Sequence, residues 1–146
     1  VTTADAQGRL VGLTVSSFNS VSLEPALVLW SMAHRAASLP VFQQCGHYAI
    51  HVLAAGQQEL AQRFATRGVD KFAGVAWEAN EQGVPVIEGA AAVFECSNRS
   101  RYDEGDHTIF VGQVQRCQHL QGAQPLLYHG GHMYAKHGLP PAPYTD

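Results

Sequence analysis

Thr14, Ser16, Ser17, Asn19, Ser20 and Ser22 crowd one short stretch of the chain, and the nearest charged side chain that follows is Glu24. Hydroxyls and amides grouped in this way donate to the carbonyls and ring nitrogens of a flat heterocycle without imposing charge. A serine-rich loop after a strand has the same composition, so the stretch alone leaves both readings open. A second group is Gly105-Asp106-His107. Its glycine permits an unusual backbone, Asp106 can orient a neighbour, and His107 opens an apolar run. A third is His129-Gly130-Gly131-His132 with His137, in a chain that carries 8 histidines. It invites a metal reading, which we set aside. No cysteine lies nearby, Asp146 is terminal, and two glycines leave the histidine pair poorly held. No metal site is expected.

Strands and short helices must position these groups. Residues 11–18 read as a strand with Leu13, Val15 and Ser17 on one side, as pleating requires. Residues 19–25 read as a polar loop and 26–32 as a buried strand. Ser38 is placed to cap a short helix carrying Leu39, Phe42 and Cys45 on one face. Residues 48–53 form a further strand. Residues 57–67 form the clearest helix, with Leu60, Ala61, Phe64 and Ala65 in one stripe, Glu59 and Arg63 spaced to pair, and Gly68 as its stop. Extended segments are expected at 76–79, 84–87 and 90–97, with a turn at 80–83 and an acidic loop at 102–106. A long strand at 107–117 carries Gly112 as a candidate bulge. Residues 126–129 and 133–135 close the pattern as a strand pair around Gly130-Gly131. Many strands and two short helices indicate a mainly β, barrel-like fold rather than alternating β-α-β units.

Composition narrows the function. The 146 residues suit a single domain, 1–146, and 46% apolar content excludes disorder. No apolar run is long enough for a membrane helix. A net charge of −3 with scattered basic residues excludes a nucleic-acid binder acting by phosphate neutralisation. Charged residues make up only 14%, against roughly 25% in an average soluble domain. Such a chain is expected to hide surface in a subunit interface or around a cofactor. Cys45, Cys96 and Cys117 form no C-x-x-C pair, which suits buried thiols in a reducing, cytoplasmic setting. The first residues, Val1-Thr2-Thr3, include no methionine and are already β-branched, so the natural start is expected upstream. There is no G-x-G-x-x-G, no G-x-S-x-G and no P-loop, so a dinucleotide would bind by a route other than a Rossmann turn. Asn98-Arg99-Ser100 matches a glycosylation sequon, which carries no meaning in a cytoplasmic chain.

The run Gly12-Leu13-Thr14-Val15-Ser16-Ser17-Phe18-Asn19-Ser20-Val21-Ser22-Leu23-Glu24-Pro25, followed by Leu27-Val28-Leu29-Trp30-Ser31 and Ser38, resembles the flavin-binding half of the flavin reductase-like family. Ala61-Gln62-Arg63-Phe64-Ala65, Asp70-Lys71-Phe72-Ala73-Gly74, Gly89-Ala90 with Glu95-Cys96, Gly105-Asp106-His107 with Ile109-Phe110-Val111-Gly112, and Pro125-Leu126-Leu127-Tyr128-His129 follow in the family's order. Together they cover nearly the whole chain. Val1-Thr2-Thr3 resembles the end of the family's first strand.

The resemblance implies a Greek-key-like split β-barrel of the FMN-binding type. It also implies a homodimer with FMN or FAD near the dimer interface, and NADH or NADPH as hydride donor. Reduced flavin would pass to a separate monooxygenase component. Carried over, Thr14, Ser16 and Ser17 would line the isoalloxazine, and Phe18, Asn19, Ser20 and Val21 would contact the ring and ribityl chain. Ser31 and Ser38 would bind phosphate, where a helix start favours an anion. Arg63 and Phe64 would lie near the cofactor, with Lys71 and Phe72 on a neighbouring wall. Arg63 as a surface partner of Glu59 is the competing reading. His107 would seat the nicotinamide, and Tyr128 and Tyr134 would close over flavin or dinucleotide, unless they serve core packing. Three alternatives stand beside this one: a pyridoxamine-phosphate-oxidase type of enzyme, a non-catalytic flavin- or haem-binding module, and a reductase of a non-flavin acceptor.

Overall fold

Where one side of an extended segment is buried, its apolar residues alternate. Residues 26–33 show this most clearly, with Val28, Trp30 and Met32 buried and Leu27, Leu29 and Ser31 only partly so. The computed structural model describes residues 1–139, and Asp146 lies outside the described residues. In chain order the elements are β1 (Thr2–Ala4), β2 (Leu10–Gly12), β3 (Asn19–Leu23), β4 (Ala26–Ala33), α1 (Leu39–Gln44), β5 (His47–Val52), a 3-10 turn (Ala55–Gln57) and α2 (Gln58–Ala65). Then come β6 (Trp77–Ala79), β7 (Pro85–Ile87), β8 (Ala92–Glu104), β9 (His107–His119), β10 (Leu127–His129) and β11 (His132–Tyr134).

Seven strands form one sheet in the order β2-β1-β5-β8-β9-β4-β3, and each neighbouring pair is antiparallel. The β8–β9 hairpin lies between β4 and β5, which is a Greek-key type of crossing. Side chains from strands well apart in that order meet inside. Trp30 on β4 meets Tyr48 of β5, three strands away, edge-on at 5.4 Å, and stacks at 4.5 Å on Phe110 of the adjacent β9. The sheet is therefore strongly coiled, yet among the described residues no ladder joins its outer strands β2 and β3. That is a split barrel. β6–β7 and β10–β11 are separate two-stranded sheets. Among the described residues no helix is long and apolar enough to cross a membrane.

Several sequence expectations are corrected. Of residues 11–18 only the first two are strand, because Thr14 turns its N–H to the carbonyl of Phe64 on α2 rather than to a strand. Residues 19–25 are not a loop: β3 pairs with β4 from Asn19 to Leu23. As a mostly exposed edge strand it needs no apolar side, so its alternation is silent. The acidic loop at 102–106 shrinks to the two-residue turn Gly105-Asp106, with Glu104 paired to His107 and a positive φ at Gly105. Ser38 makes no side-chain cap bond. Arg63 donates to the Ala73 carbonyl, and no ion pair joins it to Glu59.

Gly112 is not itself the bulge. The extra residue is Arg99 on β8, between the pairs Asn98–Gly112 and Ser100–Val111. The glycine serves a close approach instead. A Cβ there would stand 2.6 Å from the Tyr48 hydroxyl and 3.0 Å from Cys96 Cβ. Both neighbours are buried core residues without room to retreat. Gly112→Ala is expected to lower unfolding free energy by ~1–3 kcal/mol, the usual cost of overpacking. An unchanged urea midpoint and slope would contradict this packing.

Candidate functional site

Residues 13–18 cross the open side of the barrel, from the end of β2 to the start of β3, and each bond along them fixes a side chain. Leu13 N–H donates to the Val1 carbonyl, extending the β1–β2 ladder. Thr14 donates through its hydroxyl to the Ala61 carbonyl at 2.6 Å, tying the segment to α2. The Ser17 hydroxyl accepts from Ser31 N–H at 2.8 Å and donates to the Ser31 carbonyl, tying it to β4. Before the segment, Lys71 Nζ donates to the Gly12 carbonyl at 2.9 Å. Gly12 must lack a side chain, since a Cβ there would fall 2.5 Å from the Phe64 ring. That ring is itself held by Phe72 at 5.0 Å.

The segment forms one wall of a cleft of about 510 Å³. Thr14, Ser16 and Phe18 face it from the segment, and Leu60, Ala61 and Phe64 from α2. Ile50, His51 and Val52 of β5 form the floor. Tyr128 and Met133, which pair across the β10–β11 hairpin, close the far side. That hairpin is tethered by Leu126 N–H to the Leu53 carbonyl. Among the described residues, no Asp, Glu, Lys or Arg lines the cleft. Two other hollows, of about 470 and 710 Å³, differ in kind. The first carries Glu78, Glu88, Glu95 and Arg116, the second Asp5 and Arg9, and neither touches the segment.

His51 is the polar group that the sequence reading missed. Its Nε2 accepts from Ile87 N–H at 3.0 Å, so the proton of the neutral ring sits on Nδ1. That Nδ1 is buried without a partner. Burial drives the ring's pKa down to about 3, and His51 is uncharged at any working pH. A signal existed: a histidine inside the apolar run Tyr48-Ala49-Ile50-His51-Val52-Leu53 is a polar group with a reason to be there. Lys71, also pulled down by burial, points at backbone rather than into the cleft.

The remaining expected site residues fall elsewhere. Ser31 lies on β4 opposite Ile109, and His107 lies two positions further on β9, opposite Ala33. Both therefore belong to the sheet face turned away from Trp30 and Phe110. Asn19, Ser20 and Val21 lie on β3 at the adjoining edge. His107 Nδ1 meets Asp106 Oδ1 at 2.6 Å, and this bond holds the Asp106 carboxyl below the usual carboxylate range. His34 joins the same hairpin tip through Thr108, whose hydroxyl donates to Asp103 at 2.7 Å. Ser38, Arg63 and Tyr134 do not line the cleft. His129 and His132 face each other across their turn. No cluster of three or more metal-ligating side chains occurs among the described residues.

The lining suits a flat, uncharged heterocycle. Phe18, Phe64 and Tyr128 offer apolar faces, Ser16 presents its hydroxyl to the cleft, and among the described residues nothing pairs with His51 Nδ1 at the floor. An isoalloxazine, with ring nitrogens and carbonyls to accept and aromatic faces to stack, fits those residues.

Burial of the His51 ring makes stability depend on pH. Because the folded ring's pKa lies near 3 and the unfolded one near 6.5, the unfolded state takes up the proton first. This contribution is complete above about pH 6.5 and falls away as pH drops towards about 3. His51→Gln keeps an acceptor for Ile87 and cannot titrate. Thermal unfolding between pH 7 and 4 should show a shallower decline for the variant; equal slopes would remove His51 from the account.

Comparison with known proteins agrees with this geometry. Residues 1–137 match the model of the flavin reductase-like domain. The chain is 49% identical over 131 residues to the FMN reductase (NADH) SmoA of Agrobacterium fabrum, covering 90% of this chain and 74% of that one. It is 37% identical over 131 residues to the flavin-dependent monooxygenase reductase subunit HsaB of Rhodococcus jostii, covering 90% and 67%. A solved NADH:FAD oxidoreductase of Streptomyces globisporus, in complex with NAD and FAD fragments, superposes with a TM-score of 0.85 at 36% identity, covering 99% and 84%. With the match running over residues 1–137 of its 146, this chain belongs to the flavin reductase-like family.

Proposed function

We propose that the protein is an NAD(P)H-dependent flavin reductase, and that the cleft behind residues 13–18 receives the isoalloxazine of FMN or FAD. The carrying observation is the uncharged lining, aromatic on its sides and polar at Thr2, Thr14, Ser16, His51 and the Tyr128 hydroxyl. A bound flavin supplies an electron-poor ring that accepts hydride from C4 of a reduced nicotinamide. Phe18, Phe64 and Tyr128 hold the ring plane and exclude water. Thr14, committed to Ala61, and Ser17, committed to Ser31, fix the wall to α2 and β4. No general acid or base is required; orientation is the catalytic lever.

Phosphates have no cation in the cleft, so the flavin tail must leave it. In this reading it runs along Asn19, Ser20 and Val21 towards Ser31 and the Ser38 helix start, with Arg63 and Tyr134 at the margin. His107, held by Asp106, seats the nicotinamide. A homodimer fits the same surface. Leu27, Leu29, Ile109 and Val111 lie half-exposed on the outer face of β4 and β9, beside Tyr102, which is 56% exposed. A mass of one chain in solution would remove the second copy from this reading. Cys45, Cys96 and Cys117 are all free, which supports a cytoplasmic setting. HsaB is named as a reductase subunit of a monooxygenase, and a separate monooxygenase is the corresponding recipient here. A phosphate-binding basic cluster of the kind a pyridoxamine-phosphate oxidase needs is absent from the cleft lining.

Adding NADH or NADPH anaerobically to the protein with FMN or FAD should bleach the yellow absorbance. Failure with both donors and both flavins would overturn the assignment. His107→Ala is expected to raise KM for the nicotinamide several-fold; unchanged KM and kcat would remove His107 from that role.

A further inference from the structure

A neutral imidazole accepts on one nitrogen and donates from the other, and at His51 the accepting nitrogen is fixed. Ile87 N–H, on β7, donates to Nε2 at 3.0 Å and leaves the ring proton on Nδ1. Burial keeps the ring neutral, so Nδ1 is a donor and not an acceptor. Among the described residues nothing takes that proton, although Nδ1 is buried and His51 lines the cleft. A donor shut away from water and left unpaired is costly, and a fold that keeps one needs a reason for it.

The chain itself does not complete the bond. The Thr2 and Thr14 hydroxyls line the same cleft but are engaged with the carbonyls of Pro85 and Ala61. Among the described residues no carboxylate reaches the lining. The complement of a lone neutral donor is a neutral acceptor carried by the ligand. On an isoalloxazine the two carbonyl oxygens of the pyrimidine end project about 1.2 Å beyond the carbons that bear them. N1 and N5 lie within the ring perimeter, flanked by neighbouring atoms. A recessed donor is met by an atom that projects. Leu126 and Met133, on the far side of the cleft, suit the dimethylbenzene end.

We propose that His51 Nδ1–H donates to a carbonyl oxygen of the pyrimidine end of the isoalloxazine, and so sets which end of the ring meets the floor of the cleft. The inference rests on the assignment of the cleft to the flavin ring. Ile87 acts through His51: by holding Nε2 it fixes the tautomer that presents a proton to the ligand. The contact is to the ring alone, so it serves riboflavin, FMN and FAD alike.

Protein carrying 15N-histidine and 13C-methyl methionine tests this by binding, without turnover. The His51 Nδ1–H signal, assigned by its absence from His51→Gln, should move downfield on addition of FMN and likewise of riboflavin. In infrared difference spectra, FMN labelled with 13C at C2 or at C4 should show one carbonyl stretch at lower frequency in the wild type than in His51→Leu. His51→Leu should bind FMN and riboflavin weaker by the same factor, roughly three- to tenfold. His51→Gln, whose amide both accepts from Ile87 and donates, should stay near the wild type. FMN binding that shifts the Met133 methyl and leaves the His51 Nδ1–H signal unmoved overturns the inference and leaves the cleft assignment standing. That comparison needs only the wild type and His51→Gln, whether or not His51→Leu folds. FMN binding that moves neither signal, or no flavin binding at all, overturns both.

Discussion

A strongly coiled antiparallel sheet that stops short of closing has two free edges, and this chain joins them with residues 13–18. The constraint is geometric: the connection must span the gap without a strand partner, so its polar groups need other satisfaction. They find it in Val1, α2 and β4, through Leu13, Thr14 and Ser17. Those three ties set where Ser16 and Phe18 point, where α2 sits, and how wide the cleft is. Gly12 and Lys71 guard the entrance to the segment by letting Phe64 approach and by holding the Gly12 carbonyl. In the proposed reading, function depends on a piece of chain that belongs to no regular element.

Low charge, at 14% of residues, acquires a location from this arrangement. Neutral residues occupy the whole cleft lining, and half-exposed apolar residues occupy the outer face of β4 and β9. Charge lies instead outside the cleft, as at Asp103 and Asp106 near a hairpin tip and at Glu95 and Arg116 in another hollow. The division is useful for a reductase. In the proposed reading a ligand ring enters an uncharged pocket and its phosphates stay outside.

Much of this was legible in the sequence, for identifiable reasons. β4, β5, β9 and α2 follow from apolar periodicity because each buries one face or stripe. The hydroxyl-rich stretch marked the segment that walls the cleft, but its conformation was misread. Alternation of Leu13, Val15 and Ser17 suggested a strand, whereas Thr14 and Ser17 bind backbone of distant elements that no local pattern encodes. β3 was hidden because an exposed edge strand needs no apolar side. His107 was read as part of a second group beside the hydroxyl-rich stretch; register places His107 and Ser31 on the outer sheet face and Thr14, Phe64 and Tyr128 in the cleft. His51 escaped because one buried polar atom is visible only once its partners are known.

The chain's two methionines offer a direct test of where the ring binds. Met133 lines the cleft, whereas Met32 is 1% exposed in the core behind Trp30. In protein carrying 13C-methyl methionine, FMN titration should displace the Met133 signal by the ring current of the isoalloxazine and leave Met32 nearly fixed. Saturable FMN binding that moves neither methyl would contradict the account and place the flavin outside the cleft.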